Sequence, residues 1–299
     1  MASFEIRLVQ PYALEATLLS GQAFRWRRAR GGFEGLVEGQ PVRVRQKGAL
    51  IEVQSEGEIG ASVESYLRTG DDLVRFYTQV AQDGPLAAAV SRWRGLHLLH
   101  QDPWETTLAF IASSASNVSK IARSLDKLAR KMGEPVEWKG ATFHRLPTSK
   151  RLARATLREL QACEFGYRAR YLHSTAKRVN EGEVDLAQIA KMDSAKAAHT
   201  LVAELDGVGP KVAACIALFS MGKDDSFPVD RWVQRRVAEL YFGGRVKPVR
   251  EVERWGRERY GPWAGYAQQY LFHDGRAGAR KRVPLKRRLR SPGPSSPPS

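Results

Sequence analysis

Leu205-Asp206-Gly207-Val208-Gly209-Pro210-Lys211-Val212-Ala213 is the stretch on which the reading of this chain turns. It joins two helices by a very tight turn that carries two glycines. Glycine reaches the positive φ values such a turn demands and lets a phosphate come close to the backbone. The N–H groups that open the following helix point outward and favour an anion. Gly207, Val208 and Gly209 therefore read as the hairpin of a helix-hairpin-helix, which grips a DNA backbone without reading its sequence. An ordinary corner between two helices is the bland alternative.

Lys211 lies in the first turn of the second helix, expected from about Lys211 to Met221. The hairpin alone leaves two readings open. The lysine is a phosphate contact, or it is an amine nucleophile that attacks a sugar carbon and forms a Schiff base. Asp230, in Phe227-Pro228-Val229-Asp230-Arg231-Trp232, favours the second, because a helix and a loop bring the chain back toward Lys211. Asp230 can cap the next helix. A carboxylate beside a breaking glycosidic bond can also stabilise positive charge developing on the sugar.

Composition agrees with a polyanionic partner. The 299 residues carry a net charge of +16, with 48 Lys+Arg against 32 Asp+Glu. Eight basic residues and no acidic one fall in 275–299, so residues 1–274 are basic in their own right. Nucleic acid is the first candidate, ahead of a membrane surface. The two cysteines, Cys163 and Cys215, exclude a disulfide scaffold, a four-thiolate zinc site and a four-cysteine iron–sulfur cluster. The longest apolar run, Val212 to Phe219, is far short of the ~20 residues a membrane span needs. The start of the chain lacks the basic and apolar regions of a secretory signal.

The chain divides into three parts. Residues 1–95 read as an antiparallel sheet domain: Val42, Val44, Leu50, Ile51 and Val53 alternate between turn signals at Gly31-Gly32, Gly39-Gln40-Pro41 and Gln46-Lys47-Gly48. The stretch from Val63 to Val80 reads as helix. Residues 96–274 read as a helical domain, with the hairpin near 197–221. Its helix starts are Asp102-Pro103, Asn117 (ended by Gly133), Thr148 or Ser149, Ser194, and Asp230, with Pro248 and Pro262 near two more. Residues 275–299 read as a disordered basic tail. The fold class is thus α+β.

Further segments carry a resemblance. Ser20-Gly21-Gln22-Ala23-Phe24-Arg25-Trp26, Gln101-Asp102-Pro103, Gly166-Tyr167-Arg168-Ala169-Arg170-Tyr171 and Gly261-Pro262-Trp263-Ala264-Gly265-Tyr266-Ala267-Gln268 stand in order around the hairpin. Together they resemble the eukaryote-type 8-oxoguanine DNA glycosylases of the helix-hairpin-helix superfamily. The resemblance runs from about residue 5 to 275. It implies a lesion pocket between sheet and helices, a flipped-out base, double-stranded DNA containing oxidised guanine as partner, and no membrane. It implies a monomeric intracellular enzyme that works with DNA and needs no cofactor. No metal is assigned to the site.

By motif position, Lys211 is then the nucleophile and Asp230 the stabiliser of the sugar cation. Gly21 offers its carbonyl to the N7 hydrogen that 8-oxoguanine has and guanine lacks. Gln268 bonds the edge of the flipped base, Phe272 stacks on it, and Cys215 covers its other face. Tyr167 wedges the stack and Arg168 contacts the orphaned cytosine. Three positions depart from the family pattern. Ala115 stands where an asparagine fills the vacated position, with Asn117 two places on. Lys120 replaces an arginine, and it is a poorer bidentate donor. Trp232 replaces a phosphate-contacting histidine. These departures point to looser discrimination of the opposite base. Within enzymes the alternative is a glycosylase for alkylated or other damaged bases, and outside them a noncatalytic DNA-binding module.

Overall fold

A computed structural model describes residues 2–281 of the chain. The N-terminal sheet has five strands: β1 (Ala2–Arg7), β2 (Arg27–Ala29), β3 (Gly32–Val37), β4 (Gln40–Lys47) and β5 (Leu50–Ser55). They run antiparallel in the order β1-β5-β4-β3-β2. Gly31, Gly39 and Gly48 take positive φ at the three hairpin turns. Val44 pairs with Val53 and Phe33 with Val44, and the period of two puts Val42, Val44, Ile51 and Val53 on one wholly buried face. Leu18, Val63 and Leu67 close over that face.

The N-terminal part holds more helix than the expected sheet. Helices Leu14–Leu19, Gly60–Leu67, Leu73–Val80 and Gly84–Arg92 interleave with the strands or follow them. The last two pack in the core of the helical part through Leu73, Phe76, Leu86 and Val90. Arg68 ties the sheet side to the helical side, pairing with Asp71 and with Asp224. His97 sits at this junction, wholly buried and stacked on Tyr12 at 4.2 Å. Burial pushes its imidazole down to about 4.

Most expected helix starts are in place. Asp102 accepts from the Glu105 N–H at 2.8 Å and opens helix Pro103–Ser113. Asn117 accepts from the Lys120 N–H at 2.9 Å and opens Val118–Met132. Thr148 opens Ser149–Ala153. The cap expected at Ser194 is Asp193 instead, because its carboxylate accepts from the Lys196 N–H while the Ser194 hydroxyl turns to Asp225. Several elements were not read from the sequence: the hairpin Pro135–Trp138/Ala141–His144 and the helices Leu157–Gln161, Arg168–Asn180 and Leu186–Lys191.

The expected disordered tail from residue 275 is corrected in its first part. The last helix, Ala264–Lys281, continues through it. Gly275 packs directly beneath the Trp232 indole, and Arg276 lies over Phe272 and donates to the Ser20 carbonyl. The remainder of that tail lies outside the described residues. Among the described residues no helix is long and apolar enough to cross a membrane.

Candidate active site and DNA interface

The hairpin is built from helices Ser194–Glu204 and Pro210–Ser220, joined by Leu205 to Gly209. Its two glycines serve different ends. Gly207 has φ +76, and a Cβ there would lie 2.4 Å from the Tyr171 ring. Gly209 has an ordinary φ of −88 and caps the second helix, with nothing within 4 Å of an added Cβ. The open space at Gly209, not an unusual φ, is what leaves room for a phosphate. The Val208 side chain is buried, 5% exposed, so only its backbone is available to a partner.

Pro210 takes the first position of the second helix, and Lys211 follows it. The lysine lines a cavity of about 270 Å³ between the helices and the loop that precedes β2, with Gly21, Asn117, Cys215, Asp230, Trp232, Gln268 and Phe272. Residues from five separate stretches thus converge on one base-sized hollow. Lys211 Nζ stands 5.3 Å from the centre of the Phe110 ring. One turn on, Cys215 is buried; desolvation pushes its thiol up, and the Lys211 charge works against that. Asp230 caps helix Arg231–Tyr241, accepting from the Trp232 and Val233 N–H groups at 2.9 and 2.7 Å. The caps fix this carboxylate on the cavity wall independently of the lysine.

Gln268 and Phe272 lie one turn apart on the last helix and face the cavity together. Gln268 is 5% exposed, and its Oε1 has no hydrogen-bond partner. A buried acceptor left unmatched costs ~1–3 kcal/mol, so a donor from a ligand is the natural complement. The Trp232 ring meets Phe272 edge to face at 5.9 Å. Gly21 has φ +93, and a Cβ there would lie 2.5 Å from Arg276 Nη1 and 3.4 Å from Phe272.

Tyr167, Arg168 and Lys120 lie outside the cavity. Tyr167 is 52% exposed and shares a shallow hollow with Ser114 and residues 205–209 of the hairpin. Arg168, expected to contact the orphaned cytosine, is only 5% exposed. Its guanidinium turns inward and donates to the Ser114 carbonyl, supporting the loop that carries Ala115. The Asn117 amide oxygen is occupied by its cap, and Lys120 is exposed on the helix that follows.

With this geometry the comparisons with known proteins are specific. Residues 7–107 match the N-terminal domain of 8-oxoguanine DNA glycosylase, and residues 108–262 match the HhH-GPD superfamily of base excision DNA repair proteins. The chain belongs to the HhH-GPD superfamily. It is 34% identical to a "Probable N-glycosylase/DNA lyase" of Methanothermobacter thermautotrophicus, over 90% of this chain and 95% of that one. It is 30% identical to the N-glycosylase/DNA lyase OGG1 of Arabidopsis thaliana, over 87% of this chain and 76% of that one. Among solved structures it is similar to the 8-oxoguanine glycosylase/lyase of Clostridium acetobutylicum in complex with DNA containing cytosine opposite 8-oxoguanine. The TM-score is 0.88 at 32% identity, with 93% of this chain and 96% of that one covered.

Within this HhH-GPD chain, sequence reasoning missed part of the cavity wall. Phe24, Phe110 and Phe219 line it, as do Ser116, Gln269 and Arg276. The phenylalanines look like core residues in any sequence. Arg276 was obscured by the basic run it begins. Only the spacing from Phe272 signals it, since residues four apart share a helix face.

Proposed function

We propose that the chain is a bifunctional 8-oxoguanine DNA glycosylase and abasic-site lyase acting on duplex DNA inside the cell. The observation that carries this reading is the convergence of Lys211, Asp230, Gln268 and Phe272 on one cavity beside a helix-hairpin-helix. The hairpin holds the backbone through the N–H groups around Gly209, and Tyr167 props the gap left by the flipped nucleotide. The oxidised base enters the cavity, stacks on Phe272, and donates from its edge to the unpartnered Gln268 Oε1. The Gly21 carbonyl accepts the N7 hydrogen, and guanine presents a repelling lone pair there.

Lys211 Nζ attacks C1′ and displaces the base. Asp230 stabilises the positive charge that builds on the sugar as the glycosidic bond breaks. The amine that remains on C1′ opens to a Schiff base. Loss of a C2′ proton then eliminates the 3′ phosphate and nicks the strand. No redox change occurs, so no electron carrier is needed. A lysine nucleophile inside the cavity favours this over a glycosylase that uses water alone.

Borohydride trapping tests it. The native protein is expected to form a covalent adduct with duplexes carrying one 8-oxoguanine, and Lys211→Gln to lose the adduct while still binding the lesion. Uniformly weaker DNA binding in Lys211→Gln with a shallower salt dependence would make the lysine a phosphate contact instead.

A further inference from the structure

A second cavity of about 440 Å³ opens in the seam between sheet and helices, within the ~300–1,000 Å³ range of small-ligand sites. Phe24 is the residue it has in common with the catalytic cavity, and that ring packs edge to face on Phe110 at 5.6 Å. The two chambers are therefore neighbours across one phenyl ring.

Its walls suit a flat heterocycle. Trp26, Tyr66 and Trp104 contribute aromatic surface. The polar edges of the two indoles are already used: Trp26 Nε1 donates to the Tyr66 hydroxyl at 2.9 Å, and Trp104 Nε1 donates to the Pro147 carbonyl at 2.9 Å. What remains of them for a ligand is apolar ring area. The same chamber holds one enclosed donor without a partner, Arg25 Nη1, while Nη2 of that guanidinium donates to the His144 carbonyl. Glu105 faces it from the helix opposite. Burial pushes the Glu105 carboxyl up, with the Arg25 charge pulling against it. Asp102 and Glu38 also line the chamber, so three carboxylates face the two arginines Arg25 and Arg145, the latter already bonded to the Gly39 carbonyl and Glu134, and an anionic ligand such as a nucleotide phosphate is disfavoured. A neutral ring with a carbonyl next to an N–H fits the donor and the acceptor together. That is the lactam edge of an oxo-base, and guanine-type bases carry it.

We propose that this cavity binds a free guanine-type base, with Arg25 Nη1 donating to its carbonyl oxygen and Glu105 accepting from the adjacent N–H. Its source is the base excised across Phe24, so this assignment of source rests on the excision reading above. No bond is made or broken; the chamber receives the leaving group while DNA covers the mouth of the catalytic cavity.

Equilibrium dialysis of the full chain with radiolabelled 8-oxoguanine tests it. The native protein is expected to bind two equivalents. Gln268→Ala is expected to lose the equivalent in the catalytic cavity, and Glu105→Leu, which removes the acceptor, the other one. Ser65→Tyr, which fills the second chamber from its exposed rim and leaves Arg25 and Glu105 untouched, is expected to lose the same equivalent as Glu105→Leu. A single native equivalent that Gln268→Ala abolishes would overturn the inference, as would full stoichiometry in both chamber variants. An excision assay run alongside keeps the two readings apart. Intact excision with one equivalent bound refutes only the chamber, whereas two equivalents without excision refute the proposed activity and its role as source.

Discussion

Ala115 has φ +49 in the exposed loop between helices Pro103–Ser113 and Val118–Met132. A left-handed backbone costs a residue with a Cβ on the order of 1–2 kcal/mol, and asparagine tolerates it better than alanine. Ala115→Asn is therefore expected to stabilise the fold by about 1 kcal/mol. Ala115→Gly removes the same strain but gives back ~0.5–1 kcal/mol in unfolded-state entropy, for a net gain of ~0–1.5 kcal/mol. The same loop stands between two surfaces: Ser113, Ser116 and Asn117 line the cavity that holds Lys211, and Ser114 lines the hairpin hollow. On the base-flipping reading proposed above, an asparagine side chain at 115 adds a donor and an acceptor toward the unpaired base opposite the lesion. A good bidentate base contact is worth ~1–3 kcal/mol of discrimination, or roughly 5- to 150-fold. The assay is single-turnover excision on four duplexes with 8-oxoguanine opposite each base, with urea melts of the three proteins. Ala115→Asn is expected to raise the preference for cytosine over adenine at least about fivefold, while Ala115→Gly leaves the native ratio. Equal ratios in all three proteins would refute the claim that side-chain chemistry at 115 sets the selectivity. An Ala115→Asn protein less stable than native would refute the strain argument.

Other expectations follow from single contacts. A Cβ on Gly275 would lie 1.8 Å from Trp232 Cη2. Gly275→Ala gains ~1 kcal/mol of helix propensity but loses ~1–3 to overpacking, so urea melts should show up to ~2 kcal/mol of destabilisation. Adding Trp232→Ala should recover that Gly275→Ala loss. Gln268→Leu removes an unpartnered buried acceptor, so stability should hold or rise while kcat/KM falls ~10-fold or more, read by melts and excision kinetics. His97 is held neutral down to about 4 in the fold against an ordinary 6.5, chiefly by burial. Its folded value is depressed, so below pH 6.5 the unfolded chain takes up a proton that the folded chain refuses. Stability is then full above 6.5 and falls toward pH 4 by ~3 kcal/mol. His97→Gln should flatten that part of the urea-midpoint profile against pH.

How much of this was legible in the sequence follows from the range of the forces involved. The sheet was readable because Val42, Val44, Ile51 and Val53 alternate between glycine turns, which is local information. The caps at Asp102, Asn117 and Asp230 were readable for the same reason, since each bond spans two or three residues. Helix Arg168–Asn180 was not, because apart from Leu172 it buries only Arg168, Ala169, Thr175 and Ala176, which make no broad apolar stripe. Arg168 looked like a surface cation until a carbonyl 54 positions away, that of Ser114, claimed its guanidinium. The site shows the same division. Lys211 and Asp230 are legible from the hairpin and the stretch that returns to it, whereas Gln268 and Phe272 are reached only through the family resemblance. The rings that shape the space, Phe24 and Phe110, are ordinary apolar residues whose role comes from tertiary placement alone. Asp83 makes the point in polar form. Burial alone would raise its carboxyl, yet hydrogen bonds from Tyr241, Arg259 and Tyr260 outweigh that and hold it low. All three partners lie more than 150 positions away, so no local pattern announces them. A motif thus points to the candidate reacting groups, and the shape of the cavity around them is decided by contacts that only the fold assembles.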